Sequence, residues 1–239
     1  MNLIKSVKKY IPKGIKYKLN LIKTNYFNGF VLHSYSQEGE DMILKRMFEN
    51  KENGFFVDVG AHHPFRFSNT YFFYKKGWNG INIDAMPGSM QLFDKFRKRD
   101  INLEMGISDK QGSLEYFMFN EPALNGFSRE LSEYRREDTK EKYFIKSTVN
   151  IKVFPLSEIL SKHMPEYKNI DFLSIDVEGL DLDVLKSNDW VKFRPKVILV
   201  EILKSNLLNL HENEIVVYLA SKNYKPFAKT FNTMFFIEK

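Results

Sequence analysis

Acidic and small polar residues follow strand-like apolar segments at five places in this 239-residue chain. The positions are Asp58 with Gly60, Asp84, Ser108 with Asp109, Asp176 with Glu178, and Glu201. A carboxylate can take a proton from a hydroxyl group, or accept hydrogen bonds from two hydroxyls at once. Because ligands of open parallel sheets bind beyond the carboxyl ends of the strands, these residues together predict one site. For any single acid, capping of the following helix is an open alternative.

The turn after the first of these segments, GAHHP at residues 60–64, lacks the glycines of a pyrophosphate-binding turn. His62, His63 and Pro64 would hold the backbone away from phosphates, which argues against a dinucleotide there. Asp84, 24 positions after Gly60, can still accept the two hydroxyls of a ribose. A nucleoside without phosphates fits both observations, and S-adenosyl-L-methionine is the common cofactor of that kind.

Strand-like runs alternate with helical patterns, which predicts an α/β domain built from βαβ units around a mostly parallel sheet. The predicted strands lie in FFVDVG, GINIDAM, INLEMGISD, GSLEYFMF, VNIKVF, NIDFLSIDVEG and KVILVEI, with two closing segments in YKPFAKTF and TMFFIEK. A long, charged, turn-rich segment that begins with NEPALNGFS continues to residue 143. Such segments usually bind ligands, so we expect this one to close over the acceptor of the reaction.

Composition and charge narrow the possible functions. The chain has no cysteine, which excludes disulfides, thiolate metal sites and a cysteine nucleophile, and is compatible with the cytoplasm. The net charge of +6 is concentrated at the N-terminus, where residues 1–37 hold seven lysines and no acidic residue. The remaining residues hold 29 basic and 30 acidic side chains, so we expect no nucleic-acid partner.

Residues 1–32 are predicted to be a basic N-terminal extension, and residues 33–239 the catalytic domain. Apolar residues recur in the extension at helical spacing, with lysines between them, at Leu3, Ile4, Val7 and Ile11. A similar mixture returns after Gly14, so Pro12 and Gly14 predict two short helices. The segment suits peripheral contact with an anionic membrane, and a solvated arm packed on its own domain or on a second subunit is the alternative.

Seven motifs resemble those of the FkbM-like methyltransferases, in the same order along roughly residues 35–202. They are YSQEGED, FVDVGA, SNTYFFYKKGWNGINIDA, GISD, NEPALN, IDFLSIDVEG and PKVILVEI. The resemblance implies the class I methyltransferase fold, a Rossmann-like, mostly parallel sheet with helices on both faces and a reversed strand near the C-terminus. It also implies S-adenosyl-L-methionine as cofactor. The chain differs from many members at residues 62–64, where they have Asn-Ile-Gly, and at Ser174, where they have lysine.

The resemblance also implies roles for individual residues. Cofactor binding is expected at Gln37, Asp58, Gly60, Ala61, Asp84, Ala85, Ile107 and Ser108. The base that deprotonates a hydroxyl is expected among Asp176, Glu178, Glu201 and His62, and substrate binding at His63 and Asn125. Each has a structural alternative, because an acid can orient a loop and a histidine can satisfy a backbone group. No metal site is predicted, although magnesium held by Asp176, Glu178 and substrate hydroxyls is an open alternative.

The leading hypothesis is therefore an S-adenosyl-L-methionine-dependent O-methyltransferase. The resemblance suggests a sugar hydroxyl of a surface polysaccharide or related glycan as acceptor, and cytoplasmic action, with contact to the inner face of the membrane as an option. The sequence leaves the oligomeric state open. A nicotinamide-dependent oxidoreductase is a second hypothesis, disfavoured by the turn at residues 60–64, and a non-catalytic binding protein with the same fold is a third.

Overall fold

The computed structural model describes residues 12–26, 32–166, 168–203 and 207–239. The chain divides into two units, Met1–Ser34 and Tyr35–Lys239. The described part of the first unit contains helix α1 (Lys13–Tyr26), which starts directly after Pro12. The helix predicted before Pro12 lies outside the described residues. Among the described helices, none has the length and apolar character needed to cross a membrane.

The second unit alternates helices and strands. Its α-helices are α2 (Glu40–Met47), α3 (Tyr71–Lys75), α4 (Met90–Phe96), α5 (Arg129–Asp138), α6 (Leu156–His163), α7 (Asp181–Lys186) and α8 (Glu214–Ser221). Short 3₁₀ helices cover Pro122–Leu124 and Leu210–Glu212. Its strands are β1 (Phe55–Val59), β2 (Asn79–Asp84), β3 (Ile101–Glu104), β4 (Gly106–Ile107), β5 (Gly112–Phe119), β6 (Ile145–Phe154), β7 (Phe172–Ile175), β8 (Val197–Glu201), β9 (Tyr224–Lys229) and β10 (Thr233–Glu238).

Seven of these strands form the central sheet, in the order β3-β2-β1-β7-β8-β10-β9. Strands β1, β2, β3, β7 and β8 are mutually parallel, whereas β10 runs antiparallel to both of its neighbours. The predicted fold class is therefore confirmed, including the reversed strand near the C-terminus. Because these strands are parallel, the predicted site residues lie together at the carboxyl ends of the strands.

A second sheet, in the order β4-β6-β5, corrects one prediction. The run INLEMGISD is predicted as a single strand, but β3 ends at Glu104 in the central sheet and β4 pairs with β6 in the other. Alternation along a segment reports which face a side chain occupies, but it does not reveal which strand lies alongside. A side chain at Gly106 would also meet Phe127, because a Cβ there would lie 2.7 Å from its ring.

The core lies on both faces of the central sheet. Strand β1 is buried throughout, and its alternate residues Val57 and Val59 belong to a cluster of aliphatic residues on one face. Phe56 points to the other face, into a cluster with Phe73, Trp78 and other aromatic residues. Because side chains alternate along a strand, Asp58 shares the face of Phe56, which decides its surroundings.

Candidate active site

A cavity of about 380 Å³ lies at the carboxyl ends of β1, β2, β7 and β8. Ten of the predicted site residues line it, namely Gln37, Gly60, His62, Asp84, Ala85, Ile107, Asn125, Asp176, Glu178 and Glu201. The other four, Asp58, Ala61, His63 and Ser108, do not line it. The structure therefore gathers most of the predicted residues around one space of a size that suits a small ligand.

Gly60 allows β1 and β7 to meet at the floor of this cavity. Its φ of 85° lies in the left-handed region, and a Cβ at this position would lie 1.7 Å from the carbonyl oxygen of Asp176. The Gly60 and Ala61 amides both donate to the carbonyl of Ile83, at 2.9 and 3.1 Å. A larger residue would push the ends of β1 and β7 apart, so the geometry requires this glycine.

Asp84, the residue predicted to bind a ribose, ends β2 and faces the cavity. Its Oδ2 accepts a hydrogen bond from the His62 amide and its Oδ1 one from the Met86 amide, both at 2.8 Å. Burial raises the pKa of Asp84, and these two hydrogen bonds oppose the rise. Each carboxylate oxygen can accept more than one hydrogen bond, so Asp84 can hold the turn and still receive ligand hydroxyls.

The two predicted histidines occupy different surroundings. His62 has a φ of 54° and lines the cavity with its ring stacked on Phe67, at a centroid distance of 6.2 Å. Its Nε2 has no hydrogen-bond partner among the described residues. Burial, together with the positive charge of Arg66, lowers the pKa of His62 to about 4, so the ring is neutral at pH 7.

His63 supports the turn instead of facing the cavity. Its Nδ1 accepts hydrogen bonds from the backbone amides of Phe65 and Arg66, both at 3.1 Å. Burial lowers the pKa of His63, which favours the neutral ring that these bonds need. This geometry matches the structural alternative for a histidine, the satisfaction of backbone groups.

Asp58 belongs to a buried network beneath the turn. Its Oδ2 accepts a hydrogen bond from Thr70 Oγ1 at 3.3 Å, and Thr70 Oγ1 accepts one from Arg97 Nη2 at 2.9 Å. Arg97 also donates to the carbonyl of Pro64 at 3.2 Å. Burial raises the pKa of Asp58 to about 6. Asp58 is thus placed to anchor the residue 60–64 turn from below.

The other two predicted cofactor residues outside the cavity lining are also buried. Ala61 packs against Met90 and Phe93 under the turn. The Ser108 amide donates to the carbonyl of Phe154 at 3.1 Å, which ties β4 to β6. Ile107, next to Ser108, is buried and does line the cavity.

Three carboxylates meet where β7 and β8 end. Asp176, Glu178 and Glu201 each place one oxygen within 4.8 Å of the others, a spacing that a divalent cation could also use. Withdrawal from bulk water and the negative charges of their neighbours raise the pKa of Asp176 and of Glu201. Like charges this close do not all stay ionised, so the cluster retains a proton near neutral pH.

Arg135 is a functional candidate that the sequence does not reveal. It extends from α5 into the cavity lining, pairs with Glu178 and donates to the carbonyl of Leu124 at 3.2 Å. Its positive charge opposes the rise that burial imposes on the pKa of Glu178. In the sequence it stands beside Arg136 in a segment rich in charges, and nothing there distinguishes the partly buried arginine from the exposed one.

The segment that starts with NEPALN forms one wall of the cavity, and Asn125 lies within it. The Asn125 Oδ1 accepts a hydrogen bond from the Phe119 amide at 2.7 Å. A Cβ on Gly126 would lie 2.8 Å from the Glu178 Cβ, so this wall packs directly against the carboxylate cluster. At the rim, Arg66 and Glu121 form an ion pair at 3.0 Å.

Residues of the YSQEGED motif form another part of the wall. Glu40 Oε1 accepts from Thr230 Oγ1 at 2.6 Å, and Glu38 Oε2 accepts from the Asn232 amide at 2.8 Å. These bonds join the motif to the loop between β9 and β10. Gln37 is exposed and lines the cavity beside them.

The cavity lining is acidic among the described residues. Two arginines, Arg66 and Arg135, face seven acidic residues: Glu38, Glu40, Asp84, Glu121, Asp176, Glu178 and Glu201. This balance favours neutral, hydroxyl-bearing or cationic ligands and disfavours polyanions.

The strand order, the reversed β10 and a cavity at the carboxyl ends of β1 and β2 are those of the class I methyltransferase fold. Residues 58–226 match the family model described as the methyltransferase FkbM domain, and the chain belongs to this family. No curated protein sequence matches the chain at a significant level. Among solved structures, a protein from Pyrococcus horikoshii described as a candidate RNA methyltransferase is 10% identical, with a TM-score of 0.42 over 92% of this chain and 98% of that one.

Proposed function

We propose that this protein is an S-adenosyl-L-methionine-dependent O-methyltransferase. The observation that carries the proposal is the carboxylate cluster of Asp176, Glu178 and Glu201, which shares one cavity with Asp84 in a chain of a methyltransferase family. A hydroxyl is a poor nucleophile until its proton is removed, and this cluster offers a proton acceptor at the place where the ligands meet.

The residues around the cavity suit a nucleoside cofactor without a pyrophosphate. Asp84 would receive the ribose hydroxyls, and Ile107 supplies an apolar surface that suits an adenine ring. His62 occupies the position where phosphates would approach the turn, and the acidic lining favours a cofactor with a net positive charge. When bound, S-adenosyl-L-methionine supplies a methyl group on a sulfonium, which leaves a neutral thioether after transfer.

The chain's own residues would align and activate the acceptor. Asp176 opens into the cavity and would take the hydroxyl proton while the acceptor oxygen bonds to the methyl carbon. Burial raises the basicity of Asp176, the negative charges of Glu178 and Asp181 raise it further, and the positive charge of Arg135 opposes the rise. Most of the catalysis can come from holding the acceptor oxygen and the methyl carbon in line at near-attack distance.

As part of the same proposal, the acceptor is a carbohydrate or another hydroxyl-bearing small molecule. The specific expectation is a sugar of a surface polysaccharide or related glycan. The acidic lining argues against a nucleic acid, whose phosphates would meet seven carboxylates. Cytoplasmic action is part of the proposal, because that compartment supplies the cofactor. The wall formed by residues 121–127 would contact the acceptor.

Ligand-dependent melting tests the cofactor directly. S-adenosyl-L-methionine and S-adenosylhomocysteine at about 100 times their dissociation constants should stabilise the native protein by about 2.7 kcal/mol, whereas NAD should leave the melting temperature unchanged. Labelled methyl transfer to a panel of glycans then tests catalysis. Stabilisation by NAD alone would support the oxidoreductase, and cofactor binding without transfer to any hydroxyl would support the binding protein.

A further inference from the structure

Helix α1 carries an apolar stripe along one side. All of its residues are exposed, from Lys13 to Tyr26. At 3.6 residues per turn, spacings of four, three and four place four large side chains on one side. We name Ile15, Leu19, Ile22 and Tyr26 the apolar stripe, and their exposed fractions are 52%, 49%, 48% and 71%.

Lysines border this stripe on both sides. At about 100° per residue, Lys18 lies about 70° from the centre of the stripe on one side, and Lys23 and Lys16 lie about 70° and 90° from it on the other. The side chain of a lysine can lie along an apolar surface while its ammonium group reaches the polar layer above. The arrangement is that of a helix lying parallel to a lipid surface, with its apolar face down.

The charge pattern selects the partner. Residues 1–37 contain seven lysines and no acidic residue, so this segment supplies no negative group of its own to pair with the lysines of the helix. A second copy of α1 docked on the stripe would bring lysines against lysines, which is unfavourable. An anionic lipid surface instead offers negative charge on both sides of the stripe, and each lysine near it strengthens binding about fivefold.

We propose that α1 binds flat on an anionic lipid surface through the apolar stripe, with Lys16, Lys18 and Lys23 on the headgroups. The inference does not depend on the cofactor or on catalysis. Where the proposed function also holds, the helix brings the enzyme to acceptors that are linked to lipid.

Vesicle sedimentation with the full chain tests the surface. Wild-type protein should bind vesicles of phosphatidylglycerol and phosphatidylcholine at least tenfold more tightly than vesicles of phosphatidylcholine alone, and 0.5 M salt should weaken that preference. The double variant Leu19→Ser/Ile22→Ser should lose at least tenfold in affinity, because it removes half of the stripe.

The matched control is Tyr17→Ser/Leu21→Ser on the opposite side of the same helix, where the exposed fractions are 66% and 41%. It removes a similar amount of apolar surface and should keep binding within about twofold. Equal losses in both variants, or equal binding to neutral vesicles, would overturn the proposal. So would a dimer in sedimentation velocity without vesicles that only the stripe variant dissociates, since the occupant would then be a second copy.

Discussion

The two ends of strand β7 carry aspartates in opposite surroundings. Asp171 precedes the strand, at the end remote from the cavity, and its side chain is only 3% exposed. It accepts hydrogen bonds from Lys51 at 2.5 Å, from Lys196 at 2.9 Å and from the Phe55 amide at 3.0 Å. Two positive charges and a backbone donor therefore compensate for its burial.

Asp176 follows the same strand at the cavity. No described residue donates a hydrogen bond to its carboxylate, and its neighbours Glu178 and Glu201 are also acids. One arginine, Arg135, offsets three carboxylates. The contrast teaches that the fold can compensate a buried acid when the acid only holds strands together. Under the proposed function, the acid left uncompensated beside the cavity is the one that a bound ligand would contact.

The largest expected effect is on turnover. Asp176→Asn should lower the rate of methyl transfer by about 10²- to 10⁴-fold, because an amide cannot take the hydroxyl proton. The melting temperature should not fall, since the change removes a like charge from the cluster. Labelled transfer to a glycan acceptor and thermal melting measure the two effects. Full activity in this variant would move the base to Glu201, Glu178 or His62.

The reverse result is expected at the other end of β7. Asp171→Ala should lower the free energy of unfolding by about 1 to 3 kcal/mol, because the buried Phe55 amide loses its acceptor, whereas water can solvate the partly exposed Lys51 and Lys196. Turnover per folded molecule should stay unchanged at low temperature. Urea unfolding and rate measurements test this pair of effects, with Asp171→Asn, which keeps one acceptor oxygen, as the milder control. A loss of turnover without a loss of stability would contradict the comparison.

Much of this comparison can be predicted from the sequence, and the reasons are local. Alternating apolar runs predict β1, β7 and β8, and the parallel arrangement brings Asp176 and Glu201 to one edge. Asp84 ends its strand and faces the cavity, as predicted. These inferences depend on neighbours in sequence and on one general rule of sheet topology.

The remainder depends on pairings across long stretches of sequence. Arg135 and Glu178 are 43 positions apart in the sequence, and Lys51 and Asp171 are 120 positions apart, so no spacing pattern indicates either pair. The Asp58 side chain points toward Thr70 because of its position on β1. That direction can be assigned only once the bounds of the strand are known. Tertiary packing decides such contacts after the local structure has formed.

Arg135 itself offers an intermediate test. Arg135→Met should lower kcat/KM about tenfold and move the acidic limb of the pH profile to higher pH, since the pKa of Glu178 rises further without the guanidinium. Arg136→Met, next to it on the exposed side of α5, is the matched control and should change neither quantity. A parallel drop in both variants would assign the effect to α5 as a whole.

The proposed cofactor site is tested by a change in cofactor affinity, which we also expect to be about tenfold. Asp84→Ala should weaken S-adenosyl-L-methionine by at least tenfold, because a charge-assisted hydrogen bond contributes about 1.5 to 3 kcal/mol. Asp109→Ala removes an exposed acid that follows β4 and does not line the cavity, so it should leave the affinity unchanged. Calorimetry measures both dissociation constants. Equal affinities for the wild type and the Asp84 variant would remove Asp84 from the cofactor site.

The smallest expected effect is a dependence of stability on pH that the cluster causes. The pKa of Glu201 is raised in the folded protein above its ordinary value of 4.5, first by burial and then by Asp176 and Glu178. Below pH 4.5 the folded and unfolded chains both carry the proton, so the group has no effect on their balance there.

As the pH rises above 4.5, the unfolded chain releases the proton while the folded chain keeps it, so stability falls until the folded carboxyl also ionises. Glu201→Gln removes this loss, because glutamine does not titrate. Its melting temperature should match that of the wild type at pH 4 and exceed it at pH 8, while Glu104→Gln, an exposed acid at the end of β3, should follow the wild type throughout. A constant difference in melting temperature between the Glu201 variant and the wild type across this range would show that Glu201 ionises normally. The description of the cluster as uncompensated would then be wrong.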